Sequence, residues 1–385
     1  MSRARINPNI LIWARERSSL NIDATAKKIG VKSEFLLLIE RGKELPTFKQ
    51  AQDLANAFHI PFGYLFLSTP PETISPIVDF RTLPNSQKGH FSIGLEQTVN
   101  DALRKRDWLR EWRIQEGEEA LPFVGKFSIQ DSIKSIAEDI SQILNIDSSI
   151  RQRIRKREVF LQLLITKAEK AGILVLQNSV VLNDNSRSLS LEEFRGFSLV
   201  DEYAPIIFIN TNDSISARIF TFGHELAHIW LGSGGISNPS FFRDNDDSEI
   251  EKFCNKVAAE FLMPEKEFLS LWNNSNEYDI FEKNQDLAEY FKVSIFAILI
   301  RAYENNKLDK DVFMKLYHEA EIYIEPKLKK KDSVATFFNV WRVRNGKIFV
   351  NEMLSAVRRG NVLYSDAAKL LNIKIKTLDG IMQKY

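Results

Sequence analysis

Apolar residues recur at intervals of three and four through residues 8–67, and Gly or Pro interrupts them at short distances. This spacing predicts five short helices, at Pro8–Ser18, Asp23–Ile29, Ser33–Arg41, Thr47–Phe58 and Pro61–Phe66. Gly30-Val31 supplies the tight turn that lets the second and third cross as a helix-turn-helix. A Pro-rich stretch from Thr69 to Pro76 breaks the pattern and reads as a linker. Beyond it Trp108 and Trp112, four apart, fall on one face of a helical segment, and residues 130–171 return to helical spacing. The texture then changes. Gly172–Leu176, Gly196–Val200 and Pro205–Ile209 are short β-branched and aromatic runs, and Asp201–Ala204 between the last two predicts a hairpin turn. Helices resume from Ser214 to Leu231 and from Ser248 to Leu262, where Pro264 stops the run. The rest has helical spacing, interrupted near Pro326–Ser333 by a Lys-rich linker.

The fold class is therefore α+β, predominantly α, with a small and mainly antiparallel sheet. A weak internal echo recurs three times, in Ala26–Val31, Ala288–Val293 and Ala368–Ile373. Each places a small residue and then apolar residues three and five later, as a helix pair with a short turn requires. All three read as helix-turn-helix-like units, and only the first as a DNA reader.

Composition narrows the classes. The chain has 385 residues, enough for two to four domains, and 44% apolar with 27% charged residues are globular values. A single Cys cannot form an internal disulfide, and Met1–Ser19 shows no charged-then-apolar leader, so a cytoplasmic protein is expected. The longest apolar runs, Phe35–Ile39 and Ile295–Ile300, are far shorter than the roughly 18 residues of a membrane span. A net charge of +1 makes no global case for nucleic acid, so DNA binding must rest on a local surface. The basic run Arg151, Arg153, Arg155, Lys156, Arg157 reads as a solvated helix face, with a phosphate patch as the alternative.

The most informative string is Phe220-Thr-Phe-Gly-His224-Glu225-Leu-Ala-His228-Ile-Trp-Leu231. Residues four apart share a helix face, so His224 and His228 can present two imidazoles to one Zn2+. The ion lowers the pKa of a coordinated water toward about 7, and Glu225, one residue on, is placed to take its proton. Two His do not complete such a site, and no third His follows at short spacing, so a carboxylate on a later helix is expected. By reach, Asp244, Asp246, Asp247, Glu249, Glu251 and Glu260 all qualify. Glu251 is favoured because Asn255, four residues on, can steady a ligand helix, with Glu249 next. Glu260 reads as a solvent-facing residue at the helix end. Tyr203, Asn210 and Arg218 are near in sequence, but none is singled out as the oxyanion donor.

Phe208-Ile-Asn210, the Phe220–His228 string and Glu251-Lys-Phe-Cys-Asn255-Lys-Val-Ala-Ala-Glu-Phe-Leu-Met-Pro264 together resemble the ImmA/IrrE metallopeptidases. The Leu-Met-Pro ending is a hallmark of that family, and the Glu four residues before the Asn corresponds to its third zinc ligand. Departures are Cys254 and Val257, where the family usually has Ala and Phe. These read as packing changes, Cys254 as a small buried residue with a redox handle as the alternative. Ile77-Val-Asp-Phe-Arg81 with the Trp-containing helix, and Arg344-Asn-Gly-Lys-Ile-Phe with Ala367-Ala-Lys-Leu-Leu in the tail, are similar to family members fused to an XRE-type helix-turn-helix. The resemblance implies an XRE-type domain at 1–69, a linker and helical connector at 70–125, and a zincin-like peptidase core at 126–283. A helix-turn-helix-like subdomain at 284–325, and a linker with a small helical domain at 326–385, complete it.

In XRE-type units the third helix reads the major groove. Here it carries Leu37 and Leu38 where the family has polar or basic groups. Lys32, Ser33, Arg41 and Lys43 remain as contacts to double-stranded DNA, and residues 1–70 hold 10 Lys plus Arg against 6 Asp plus Glu. The alternative is protein docking, the apolar third helix recognising another helix-turn-helix protein or packing on its own peptidase domain. The leading expectation is a zinc endopeptidase that cleaves a protein partner, by resemblance an XRE-type repressor, with a homodimer implied by two-fold operators. The alternatives are a DNA-binding regulator or antitoxin-like binding protein whose metal site is structural or only conditionally active, and self-cleavage in the Thr69–Pro76 or Pro326–Ser333 linker.

Overall fold

Asn7, Asn21 and Thr47 each accept a backbone N–H from the following turn, a cap of the kind that starts a helix. They open three of the first four helices, Pro8–Arg17 (α1), Ile22–Ile29 (α2), Ser33–Glu40 (α3) and Phe48–Ala57 (α4). The fifth expected helix is a 3-10 helix, Phe62–Phe66. Five residues behind Pro61 are too few to repay α-helical nucleation, so the tighter turn wins. Leu11, Ala14, Leu36, Ile39, Leu54 and Phe58 form the core of this bundle. Gly30 closes α2 in the left-handed region at φ 68°.

The computed structural model describes residues 2–18, 20–71, 92–237, 249–274, 280–324 and 336–383. The chain divides into two units, the first of them residues 2–71 with 92–97 and the second 98–383. The expected linkers fall outside the described residues, from 72 onward in the first case and at 326–333 in the second, as do Ile77–Arg81. The helix Ile93–Gln115 (α5) runs across the division.

In the second unit Ile133–Leu144 (α6), Ser148–Arg153 (α7) and Arg157–Lys170 (α8) precede the sheet. Its strands are Leu174–Asn178 (β1), Val180–Val181 (β2), Asp184–Ser188 (β3), Gly196–Leu199 (β4), Ile206–Asn210 (β5) and Gly235–Ser237 (β6). The helices Ile215–Leu231 (α9), Glu249–Leu262 (α10), Glu265–Asn274 (α11), Ile280–Phe291 (α12), Ile295–Glu304 (α13) and Lys310–Ile324 (α14) follow. Phe337–Asn345 (α15), Lys347–Arg358 (α16), Tyr364–Leu370 (α17) and Ile375–Met382 (α18) end the chain.

The main sheet runs β1-β5-β4-β6 and is mixed, with antiparallel β5–β4 and β4–β6 pairings and one parallel pairing. The β4–β5 hairpin forms as the turn at 201–204 predicts, but β5 also pairs with β1 in parallel, Leu174 against Ile206. A separate β2–β3 hairpin and the short β6 carry no apolar run to announce them. One continuous core joins α6, α8, β1, β5, α9, α10, α12 and α13. Among the described residues no helix is long and apolar enough to cross a membrane.

Two charged positions are not where the sequence puts them. Glu260 is buried, accepts the Glu265 N–H at 3.2 Å and pairs with the equally buried Arg301 of α13. Arg151 is also buried, its guanidinium donating to the Phe261 carbonyl at 2.8 Å and to Glu267 at 3.3 Å. In both cases a partner from a distant helix removes the need for solvent, a relation no local pattern records.

The C-terminal helices close the far side of the sheet. Gly346, at φ 76°, joins α15 to α16 directly on β1, where a Cβ would meet Leu174 Cδ1 at 2.3 Å and the Val175 carbonyl at 3.1 Å. Trp112 of α5 stacks on Trp108 at 5.6 Å and donates to Glu352 of α16 at 3.0 Å. Replacing Gly346 with Ala forces a left-handed φ on a β-carbon and a clash with a strand. We expect a loss of about 2–3 kcal/mol, read by calorimetry as a fall in Tm of several degrees, whereas Ala at the uncrowded Gly63 should change little.

Candidate metal centre

α9 is held in place at both ends. Ser214 caps its first turn through the Ala217 N–H, and Gly232 ends it in the left-handed region at φ 67°. Over its last turn, Gly125 N–H and Phe127 N–H donate to the carbonyls of Ile229 and Trp230 at 3.0 and 3.1 Å. Phe123 stacks on Trp230 at 4.4 Å, and the Trp230 indole donates to Asp139 of α6 at 2.7 Å. A chain segment and a neighbouring helix thus satisfy groups that a helix end otherwise leaves to water.

On this fixed helix His224 and His228 turn their Nε2 atoms to within 3.0 Å of each other. α10 packs alongside and brings Glu251, whose Oε2 lies 3.1 Å from His224 Nε2 and Oε1 3.2 Å from His228 Nε2. All the donor atoms fall within 4.8 Å of one another. The far side of each ring is occupied: His224 Nδ1 lies 2.9 Å from Asn255 Oδ1, and His228 Nδ1 lies 2.7 Å from the Ser233 carbonyl. Each of these oxygens can accept a hydrogen bond from Nδ1–H, which turns both Nε2 atoms toward the Glu251 carboxylate.

Such a donor set calls for positive charge, and ligand atoms at about 2.0–2.2 Å from a tetrahedral Zn2+ stand roughly 3.3 Å apart. The separations here fit. The proton affinities show the same demand. Burial alone would lower the pKa of His228, yet the Cys254 thiol and Glu251 carry it well above its ordinary value. Burial would raise that of Glu251, yet hydrogen bonds from His224 and His228 and their charges hold it far below the usual carboxylate range.

Glu225 is fully buried and neither carboxylate oxygen has a hydrogen-bond partner. Burial raises its pKa, the two His oppose, Glu251 adds to the rise, and the Ser198 hydroxyl of β4, near but outside good hydrogen-bond geometry, lowers it. Room for this carboxylate is made by Gly196 of β4, where a Cβ would lie 2.5 Å from Thr221 Cγ2, 2.9 Å from the Phe208 carbonyl and 3.1 Å from Glu225 Oε1.

The remaining candidates lie elsewhere or serve the scaffold. Glu249 is exposed at the start of α10, Glu260 is committed to Arg301, and Asp244, Asp246 and Asp247 lie outside the described residues. Asn210 donates to the Phe194 carbonyl at 3.2 Å, and Arg218 to Gln177 at 2.8 Å, so both side chains hold structure together. Cys254 is buried beside His228, and burial raises its pKa. In the first unit Lys32, Arg41 and Lys43 are exposed, while Ser33 donates to Asp23 at 2.5 Å. Ser233 and Gly196 are not apparent from the sequence. The first has one signal, its place just after the helix-ending Gly232; the second has none.

Residues 168–303 match the family model described as the IrrE N-terminal-like domain, Peptidase_M78. The match covers β1 through α13 and supports a metallopeptidase-like domain of the ImmA/IrrE family. Comparison with the curated proteins finds no match.

If Asn255 orients His224, then Asn255→Ala should weaken Zn2+ binding about 10–100-fold at neutral pH, read by competition with a chromogenic chelator. The far-UV circular dichroism should stay unchanged.

Proposed function

We propose that the protein is a zinc-dependent regulatory endopeptidase. In this reading His224, His228 and Glu251 hold the ion, Asn255 and the Ser233 carbonyl fix the two rings, and Glu225 is the general base. The observation that supports it most is the pairing of a converging three-donor cluster with a buried carboxylate whose oxygens have no other partner. Zn2+ supplies Lewis acidity, polarising a peptide carbonyl and acidifying water. Glu225 accepts a proton at its carboxylate and returns it to the leaving amine, and its raised pKa is the direction such a role needs. Gly196 keeps the space beside it clear, and the hydrophobic walls of α9 and α10 exclude bulk water.

The substrate is a specific protein partner, by resemblance an XRE-type repressor, in a cytoplasmic setting. The first unit brings the enzyme to DNA through exposed Lys32, Arg41 and Lys43, with Ser33 at the start of α3 and a homodimer matching a two-fold site. A second reading, protein docking by this unit, is favoured by the exposure of Leu38, Leu45 and Phe48 around α3. It belongs with a binding protein whose metal site is structural or only conditionally active.

Newly formed protein N-termini in cells carrying the wild type or Glu225→Gln test the peptidase. A cut present only with the wild type, while the variant still binds zinc, is the expected result. An identical cut with Glu225→Gln would refute the role of Glu225. For the first unit, changing Lys32, Arg41 and Lys43 to Gln should weaken duplex DNA binding and lower the salt slope by about 0.9 for each phosphate no longer neutralised. Filter binding across salt concentrations reads both effects, and undetectable binding by the wild type favours docking.

A further inference from the structure

The basic run that reads as a solvated face in the sequence does something else in the fold. Arg151 leaves it for the interior, and Arg155, Lys156 and Arg157, with Glu158, Ile215, Ser216 and Glu289, line a cavity of about 390 Å3. That volume lies within the range of small-molecule sites. Arg157 opens α8, Ile215 opens α9, and Glu289 lies near the end of α12.

The cations here are not held in ion pairs. Arg157 donates one N–H to the Ala288 carbonyl at 3.1 Å, but its Nε–H is buried with no acceptor. Lys292, 5% exposed, is held by the carbonyls of Glu289 and Tyr290; burial and then the nearby Arg157 lower its pKa, against the opposing charge of Glu289. Among the described residues none of Arg155, Lys156, Arg157 and Lys292 forms an ion pair. Among the residues lining the cavity, Arg155, Lys156 and Arg157 stand against Glu158 and Glu289, and Lys292 lies behind them. In addition, Lys156 makes no side-chain cap to α8, so the first amides of that helix are open to an outside acceptor. Ser214 does cap α9.

We propose that this cavity binds the phosphate group of a phosphate-bearing small molecule. The forked N–H donors of two arginines and the uncapped amides of α8 match tetrahedral anionic oxygens, and the positive surplus of the lining favours an anion. The site is separate from the metal donors and does not rest on the peptidase reading.

Isothermal titration of the full chain with inorganic phosphate, pyrophosphate and adenosine triphosphate tests it. The variant is Arg155→Gln with Lys156→Gln, two exposed side chains that hold no other element in place, and Arg153→Gln removes a charge outside the cavity. At least one probe should bind the wild type and the Arg153 variant alike, and about tenfold more weakly the double variant, with circular dichroism unchanged. Preference for pyrophosphate or the nucleotide over phosphate tells an organic phosphate from the free ion. The proposal is overturned if no probe binds at up to about 1 mM. It is equally overturned if binding survives in the double variant, if Arg153→Gln weakens it as much, or if Arg155 and Lys156 serve duplex DNA and no small anion.

Discussion

Two imidazoles and a carboxylate must be gathered out of water within 3.0–3.2 Å of one another, and this is the constraint around which the second unit is organised. A helix spacing of four accounts for only one of the three distances. The other two depend on α10 being pressed against α9, and that packing is secured away from the donors. Glu260 and Arg301 tie the far end of α10 to α13, and Arg151 reaches the carbonyl of Phe261 from α7. Breaking a buried pair of this type costs about 3–5 kcal/mol, enough to hold the helix in register.

The local half of this arrangement is legible in the sequence. Helix starts at Asn7, Asn21, Thr47 and Ser214 and helix ends at Gly30 and Gly232 follow from residues within one turn. So does the hairpin at 201–204. The three echoes also share a geometry: Gly30, Lys292 and Asn372 all take a positive φ, and Ala26, Ala288 and Ala368 are all buried. In the candidate centre the His pair and Glu225 stand out as one helical string, and Glu251 is favoured through its spacing from Asn255.

Whatever depends on a distant partner is hidden from such a reading. β1 pairs with β5 in parallel across some thirty intervening positions, and nothing in either strand names the other. Arg151 looks like a surface charge because it opens a basic run, and Glu260 because it stands near a helix end, yet their partners lie on other helices. Gly196 matters only because Thr221, Phe208 and Glu225 converge on it, and a lone Gly in a strand carries no trace of that.

The seat of Gly346 on β1 bears on synthesis. β1 is an outer strand of the sheet, and its exposed flank is closed by α15, the turn at Gly346 and α16, which leave the ribosome long after α9 and α10. A nascent chain that already carries both His and Glu251 still lacks this cover. The unit can reach its finished form only after residues 337–358 have been made, so a chain that stalls or is truncated before residue 346 presents an open strand edge to chaperones and proteases.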